Sequence, residues 1–240
     1  MVGGAACGDA VRRAKTMPGL RVGLHLVVIE GASTLPPSEI PNLVDERGCF
    51  PCDQLRLGIR YFFSPPARRQ LASEIRAQFK KFAETGLTLS HADAHKHMHL
   101  HPTIGGLMIR IGQEFGLPAI RIPAEPPMVM AACGENIGLG DRALYHWTGL
   151  LRARAKRAGL RMNDHCFGLA WSGHMTADRV LRLAANLPEG ESEIYFHPAA
   201  RRDPMLDELM PDYEHEAELA ALCDPHVGVA LAPHTLPPGQ

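Results

Sequence analysis

Apolar positions along the chain switch between two periods, and the switching predicts an architecture. Residues 20–29 form a nearly continuous apolar stretch, the pattern of a strand covered on both faces. Before it, residues 9–14 have helix-forming character and end at Pro18-Gly19. A loop rich in Pro, Gly and polar residues follows, from 30 to about 53. Across residues 67–84, Leu71, Ile75, Phe79 and Phe82 recur at helical spacing, with Gly86 as the stop. Residues 87–100 read as a strand with a C-terminal extension, after which Pro102 and Thr103 open a helix that runs to about Phe115. Residues 119–123 read as a short strand, and 124–140 as a long loop rich in Pro, Met and Gly. Asp141 is expected to cap a helix to Ala158 with Leu144, Trp147 and Leu151 on one face. Thr176 is expected to cap another, carrying Val180, Leu183 and Leu187. Residues 193–197 and 227–232 read as the last strands. Strands alternating with helices predict an α/β fold with parallel pairing through right-handed crossovers. No repeat or linker divides the chain, so residues 1–240 are expected to form a single domain.

Composition narrows the function classes. Apolar residues make up 45% of the 240 and charged residues 21%, ordinary for a soluble globular chain. The net charge of −1 supplies no global field for nucleic acid, so no nucleic-acid partner is expected. The N-terminal residues lack a basic region followed by an apolar core, and the reading is a cytoplasmic protein. Six cysteines are spread thinly; Cys49 and Cys52 have CxxC spacing, but a structural zinc site needs two more ligands and no second CxxC exists. The basic run Arg152, Arg154, Lys156, Arg157 complements a helix C-terminus, and peripheral contact with an anionic membrane is a second use for it.

The unusual feature is histidine, 13 in all. In HADAHKHMHLHP, residues His91, Asp93, His95, His97, His99 and His101 all fall at odd positions. An extended backbone would aim all six at one side. Imidazole and carboxylate are ligands for Zn²⁺ and related divalent ions, and helices opening after strand ends are where β/α folds build their sites. One ion cannot take six ligands, so several of these side chains would orient ligands or touch substrate. Asp93 has two readings, orienting a ligating histidine or capping the turn. Arg121, leaving a strand end, reads either as a contact for a sugar hydroxyl or phosphate or as a surface arginine. His25, alone, reads equally as a core histidine or a ligand.

Three separated segments, GLHL (residues 23–26), HADAHKHMHLHP (91–102) and EIYFHP (193–198), together resemble the YdjC-like carbohydrate deacetylases. RVGLHLVVIEG (21–31) and FGLAWSGHMT (167–176) are most similar to the hopanoid-biosynthesis branch of that family. The resemblance implies a deformed, TIM-like (β/α) barrel and one divalent metal ion, Mg²⁺ or Zn²⁺. It places the metal on His25 and His95, makes His197 an acid or substrate contact, and leaves Asp93 as a catalytic candidate with His97 and Arg121 near substrate. It implies hydrolysis of an N-acetyl group on an amino-sugar conjugate, such as an N-acetylglucosaminyl hopanoid. Family members begin with a strand ending in an Asp-Asp pair, which supplies a third ligand and a general base, and nothing here matches it. The expectation is therefore a barrel incomplete at its N-terminus, either from a start placed too far downstream or as a metal- or sugar-binding remnant with impaired chemistry. An exposed strand edge in such a barrel would favour a homodimer.

Overall fold

The computed structural model describes residues 1–235, whose contacts divide into two compact units. The first comprises Met1–Arg121 and Trp147–Met162; the second comprises Ile122–His146 and the chain from Asn163 on.

In the first unit the chain runs α1 (Cys7–Lys15), β1 (Val22–Leu26), β2 (Gly31–Ala32), β3 (Cys49–Phe50), α2 (Gln54–Phe63), α3 (Pro65–Glu84), β4 (Leu89–Ala94) and α4 (Pro102–Glu114). β1 lies parallel to β4 with His25 opposite Asp93. Parallel bridges continue this ladder from Ala92 to Ile120 and from Ala119 to Arg161, whereas β2 and β3 form a small antiparallel pair. The stripe expected on the long helix is the observed one: Leu71, Ile75, Phe79 and Phe82 of α3 are all buried, and α3 packs on both β1 and α4. Each such side chain stabilises the fold by about 1.5–3 kcal/mol. The same helix buries two polar residues between them, Glu74 and Gln78. Gln78 exchanges hydrogen bonds with the backbone of Val27 (3.0 and 2.7 Å), and Glu74 accepts from the N–H groups of Thr34 and Leu35. Tyr61 of α2 donates to the Val28 carbonyl at 2.8 Å. These bonds fix the chain where it leaves β1, just past His25, and satisfy backbone groups that burial would otherwise strand.

The expected strand over 87–100 stops at Ala94. Residues His95–Leu100 wind into a 3₁₀ segment in which Lys96 and His97 are left-handed, at φ 51° and 52°. The strict two-residue alternation of the histidines therefore ends at the strand, and the odd-numbered side chains beyond it do not share one face. His101 then closes the segment: its Nδ1 accepts from the Thr103 N–H at 3.3 Å, and Pro102 takes the first position of α4. Gly105, in the first turns of that helix, leaves room for the segment. A Cβ there would collide with the His99 carbonyl oxygen and lie 3.0 Å from Leu151 Cδ1. Gly→Ala normally favours a helix by about 1 kcal/mol; here we expect Gly105→Ala to lose about 1–3 kcal/mol, because the collision is with backbone. The shift of the urea midpoint checks the sign.

In the second unit are α5 (Pro127–Ala132), β5 (His165–Phe167), α7 (Ala177–Ala184), β6 (Ser192–Ile194), α8 (Pro204–Leu209), α9 (His215–Cys223) and α10 (Pro225–Leu231); the division between units falls within α6 (Leu139–Arg157). β5 and β6 are parallel, with Phe167 opposite Ile194. Met130, Phe167, Trp171, Met175, Val180, Leu183 and Val227 form its core. Several expectations change here. The loop over 124–140 contains α5, and the last expected strand is helix α10, started by Asp224 accepting from the His226 N–H and by Pro225. Asp141 lies inside the first turn of α6, where its carboxylate accepts from Gly138 N–H at 2.8 Å. On α6 the buried stripe is Thr148, Leu151 and Ala155, while Leu144 and Trp147 are exposed.

The class is mixed α/β. Among the described residues the strands form three two-stranded sheets, and no helix is long and apolar enough to cross a membrane.

Candidate functional site

The ends of β1 and β4 bring the motif residues of the first unit together. His25 and Asp93 face each other across the parallel pair, and His25 Nδ1–H donates to Asp93 Oδ1 at 2.8 Å. That bond fixes the tautomer, so the His25 lone pair sits on Nε2. The second Asp93 oxygen is held by the Arg121 guanidinium. Arg121 is thus no surface residue: its side chain is 14% exposed, because the bridge at Ile120 carries it in beside β4. Burial raises the Asp93 pKa, but the His25 hydrogen bond and the Arg121 charge outweigh it and hold the carboxyl well below the usual range.

His95, the first residue past β4, sets its ring 5.7 Å from that of His25, edge to face. Both side chains reach solvent, at 32% and 22%. Glu30, left-handed at φ 44°, places its carboxylate 3.8 Å from His95 Nε2 and pairs with Lys96. Sequence reasoning missed Glu30; its only signal is a carboxylate ending the β1 apolar run, directly before Gly31.

His99 turns inward, and His97 is half-buried. Nε2–H of His99 donates to the Arg121 carbonyl at 3.1 Å, and among the described residues its buried Nδ1 meets no hydrogen-bond partner. Burial is the main cause that pushes the pKa of His97 down to about 3 and that of His99 down to about 4. The folded chain therefore keeps His99 neutral until pH falls to about 4, whereas an unfolded histidine takes its proton near 6.5. Between those values the unfolded state binds more protons, so stability falls as pH drops. We expect His99 alone to cost about 2 kcal/mol between pH 7 and pH 5. Urea melts at the two pH values, compared with His99→Gln, measure it; an unchanged difference would mean His99 titrates normally.

His197 lies in the second unit, just past β6. Glu218, itself buried, accepts from its backbone N–H, and the His197 carbonyl accepts from His215 Nδ1–H at 2.6 Å. Its ring lies 5.6 Å from that of Tyr195 and 5.2 Å from that of Tyr213. In the same unit the FGLAWSGHMT segment is shaped by Glu125, whose carboxylate accepts from the N–H groups of Gly168, Leu169 and Ala170.

As a donor set, two neighbouring imidazoles, one with its tautomer fixed by a buried carboxylate, fit a divalent ion as two of its ligands. Among the described residues no group of three or more His, Cys, Asp or Glu side chains is arranged to hold an ion, so water or substrate would complete the shell.

The strand-end histidine pair, backed by a carboxylate and an arginine, is the candidate site of the first unit. Residues 1–232 match the family of YdjC-like proteins, and the chain belongs to that family. It is 23% identical over 219 residues to a carbohydrate deacetylase of Thermoanaerobacter pseudethanolicus, a match covering 91% of this chain and 76% of that one. A carbohydrate deacetylase of Oceanobacillus iheyensis is 34% identical over 123 residues, about half of each chain (49% and 49%). Among solved structures, a protein of Enterococcus faecalis V583 provisionally named for cellobiose-phosphate cleavage shares the fold, with a TM-score of 0.72 at 20% identity over 97% of this chain and 81% of that one.

Proposed function

We propose that this chain is a carbohydrate deacetylase that hydrolyses the N-acetyl amide of an amino-sugar conjugate at the His25–His95 pair. The observation that carries the reading is the Asp93-oriented His25 beside His95, in a family whose curated relatives are carbohydrate deacetylases. His25 and His95 would hold one divalent ion, Mg²⁺ or Zn²⁺, through imidazole nitrogens. When bound, the ion supplies Lewis acidity that polarises the acetyl carbonyl. Asp93 is a positioning residue: it keeps the proton on His25 Nδ1 and is itself kept ionised by Arg121. His97 is kept as a substrate contact on the family resemblance alone. The likeness of EIYFHP (residues 193–198) to the family motif, and nothing else, supports His197 of the second unit as an acid or substrate contact. The parallel ladder through β1, β4, Ile120 and Arg161 supports reading the fold as a deformed (β/α) barrel. The likeness of residues 21–31 and 167–176 to the hopanoid branch supports a sugar carried on an apolar, lipid-like group.

One observation favours a second reading, a domain that binds metal or sugar without turning it over. Asp93 is occupied by both His25 and Arg121 and is too weak a base to take a proton from water. Acetate release from an N-acetylglucosaminyl conjugate separates the two. The deacetylase reading predicts equimolar acetate and free amine; binding of the conjugate with no acetate released would establish the second reading instead.

A further inference from the structure

Helix α2 is apolar on two opposite faces. Leu57 and Tyr61 are at most 1% exposed, whereas Leu55, Ile59, Phe62 and Phe63 are exposed to 76%, 54%, 47% and 73%. The exposed four fall at i, i+4, i+7 and i+8, a single stripe along one side of the helix. The Phe62 ring meets the His101 ring edge-on, centroids 6.1 Å apart. Next to His101, the Leu100 carbonyl accepts from Trp147 Nε1–H at 3.0 Å, and Trp147 is itself 49% exposed. The apolar surface thus runs from α2 across His101 and Leu100 to an indole, at the end of the segment that begins with His95. A contiguous patch of this kind on a folded chain marks an interaction surface.

What borders it is positively charged. Phe62 lines a groove with Arg68, Arg110 and Arg154, beside Pro102, Thr103, Gly106 and Leu107. Arg154 is held in place by the Pro102 carbonyl, and Arg68 and Arg110 are exposed. None of the residues lining the groove is acidic. An apolar stripe with an interfacial tryptophan and a cluster of arginines matches the headgroup boundary of an anionic bilayer. A second copy fits less well, because a two-fold contact through this patch would set one arginine cluster against the other.

We propose that the face formed by α2 and Trp147 docks on an anionic lipid surface, with the stripe at the acyl boundary and Arg68, Arg110 and Arg154 on lipid phosphates. The docking goes beyond the deacetylase reading and does not depend on it, and its test reads binding alone.

The chain carries two tryptophans, and they divide the signal cleanly: Trp147 is 49% exposed and Trp171 is 1% exposed. The full chain is mixed with vesicles of phosphatidylcholine, or of phosphatidylcholine with about one-third phosphatidylglycerol, and followed by co-sedimentation and tryptophan emission. The expected result is binding to the anionic vesicles with a blue shift, weakened by salt. Substituting Leu55→Ser with Phe63→Ser should lower partitioning at least about tenfold, with an unchanged melting temperature because both side chains are exposed. Substituting Arg68→Glu with Arg110→Glu should also weaken it and remove the salt dependence. Absence of binding, equal binding to pure phosphatidylcholine, or binding that both substitution pairs leave intact overturns the proposal. So does a concentration-dependent dimer that Leu55→Ser with Phe63→Ser dissociates, since the stripe would then be covered by a second copy.

Discussion

Replacing His25 with alanine is expected to lower kcat/KM for an N-acetyl amino-sugar conjugate by on the order of 10²–10³, with a loss of stability limited to about 1–3 kcal/mol, from buried Asp93 Oδ1 losing its donor. The two halves of that expectation have separate causes. The side chain is one-third exposed, so its removal leaves no deep cavity, and Leu24 and Leu26 on either side keep β1 packed. On the proposed reading catalysis suffers because one of the two imidazoles that would hold the divalent ion is lost. His95→Ala should behave alike, and the double substitution should cost little more than either alone, since the two act as a unit. Steady-state kinetics with urea melts on the same samples would show it. A variant that keeps its activity while its stability falls would make His25 a core histidine.

Asp93→Asn is expected to act on both stability and metal affinity. The carboxylate accepts from His25 and from Arg121 at once; an amide offers one oxygen and presents an NH₂ to the other donor. If the oxygen stays with Arg121, His25 must accept at Nδ1, which moves its proton to Nε2 and removes the lone pair from the ligating position. The expected loss is about 3 kcal/mol of stability, from breaking a buried ion pair, and about 10–100-fold in affinity for Zn²⁺. Calorimetric titration with the metal, together with the imidazole nitrogen chemical shifts of His25, distinguishes this from simple destabilisation. A merely structural Asp93 would lower the melting temperature and leave affinity and tautomer as they were.

How far the sequence reveals this arrangement depends on whether a signal is local. The α3 stripe, the strand carrying His25 and the Pro102 helix start are legible because period and capping are local properties of the chain. Helix α2 is not, because its apolar residues lie on both faces and leave no single 3.6-residue stripe. The stretch 227–232 looks like a strand from its apolar residues, but Asp224 and Pro225 start a helix there, a case of capping prevailing over β propensity. The histidine run misleads most. Its alternation is that of a strand, yet left-handed Lys96 and His97 turn the backbone, so His95 stays with His25 while His99 turns into the core. Nothing local announces that turn. Glu30, Glu74 and Gln78 were equally hidden, since a polar residue in a loop or between helix apolar positions reads as solvated until its partners are known.

The central claim, that His25 and His95 serve a metal-dependent deacetylation, is tested most directly by acetate release before and after metal removal. The chain is stripped with a chelator, assayed on an N-acetylglucosaminyl conjugate, then reassayed after saturation with Zn²⁺ or Mg²⁺. The account predicts that stripping abolishes acetate release, that one of the two ions restores it, and that neither restores it in the His25→Ala/His95→Ala double variant. Undiminished release from the stripped chain, or from the double variant, would contradict it.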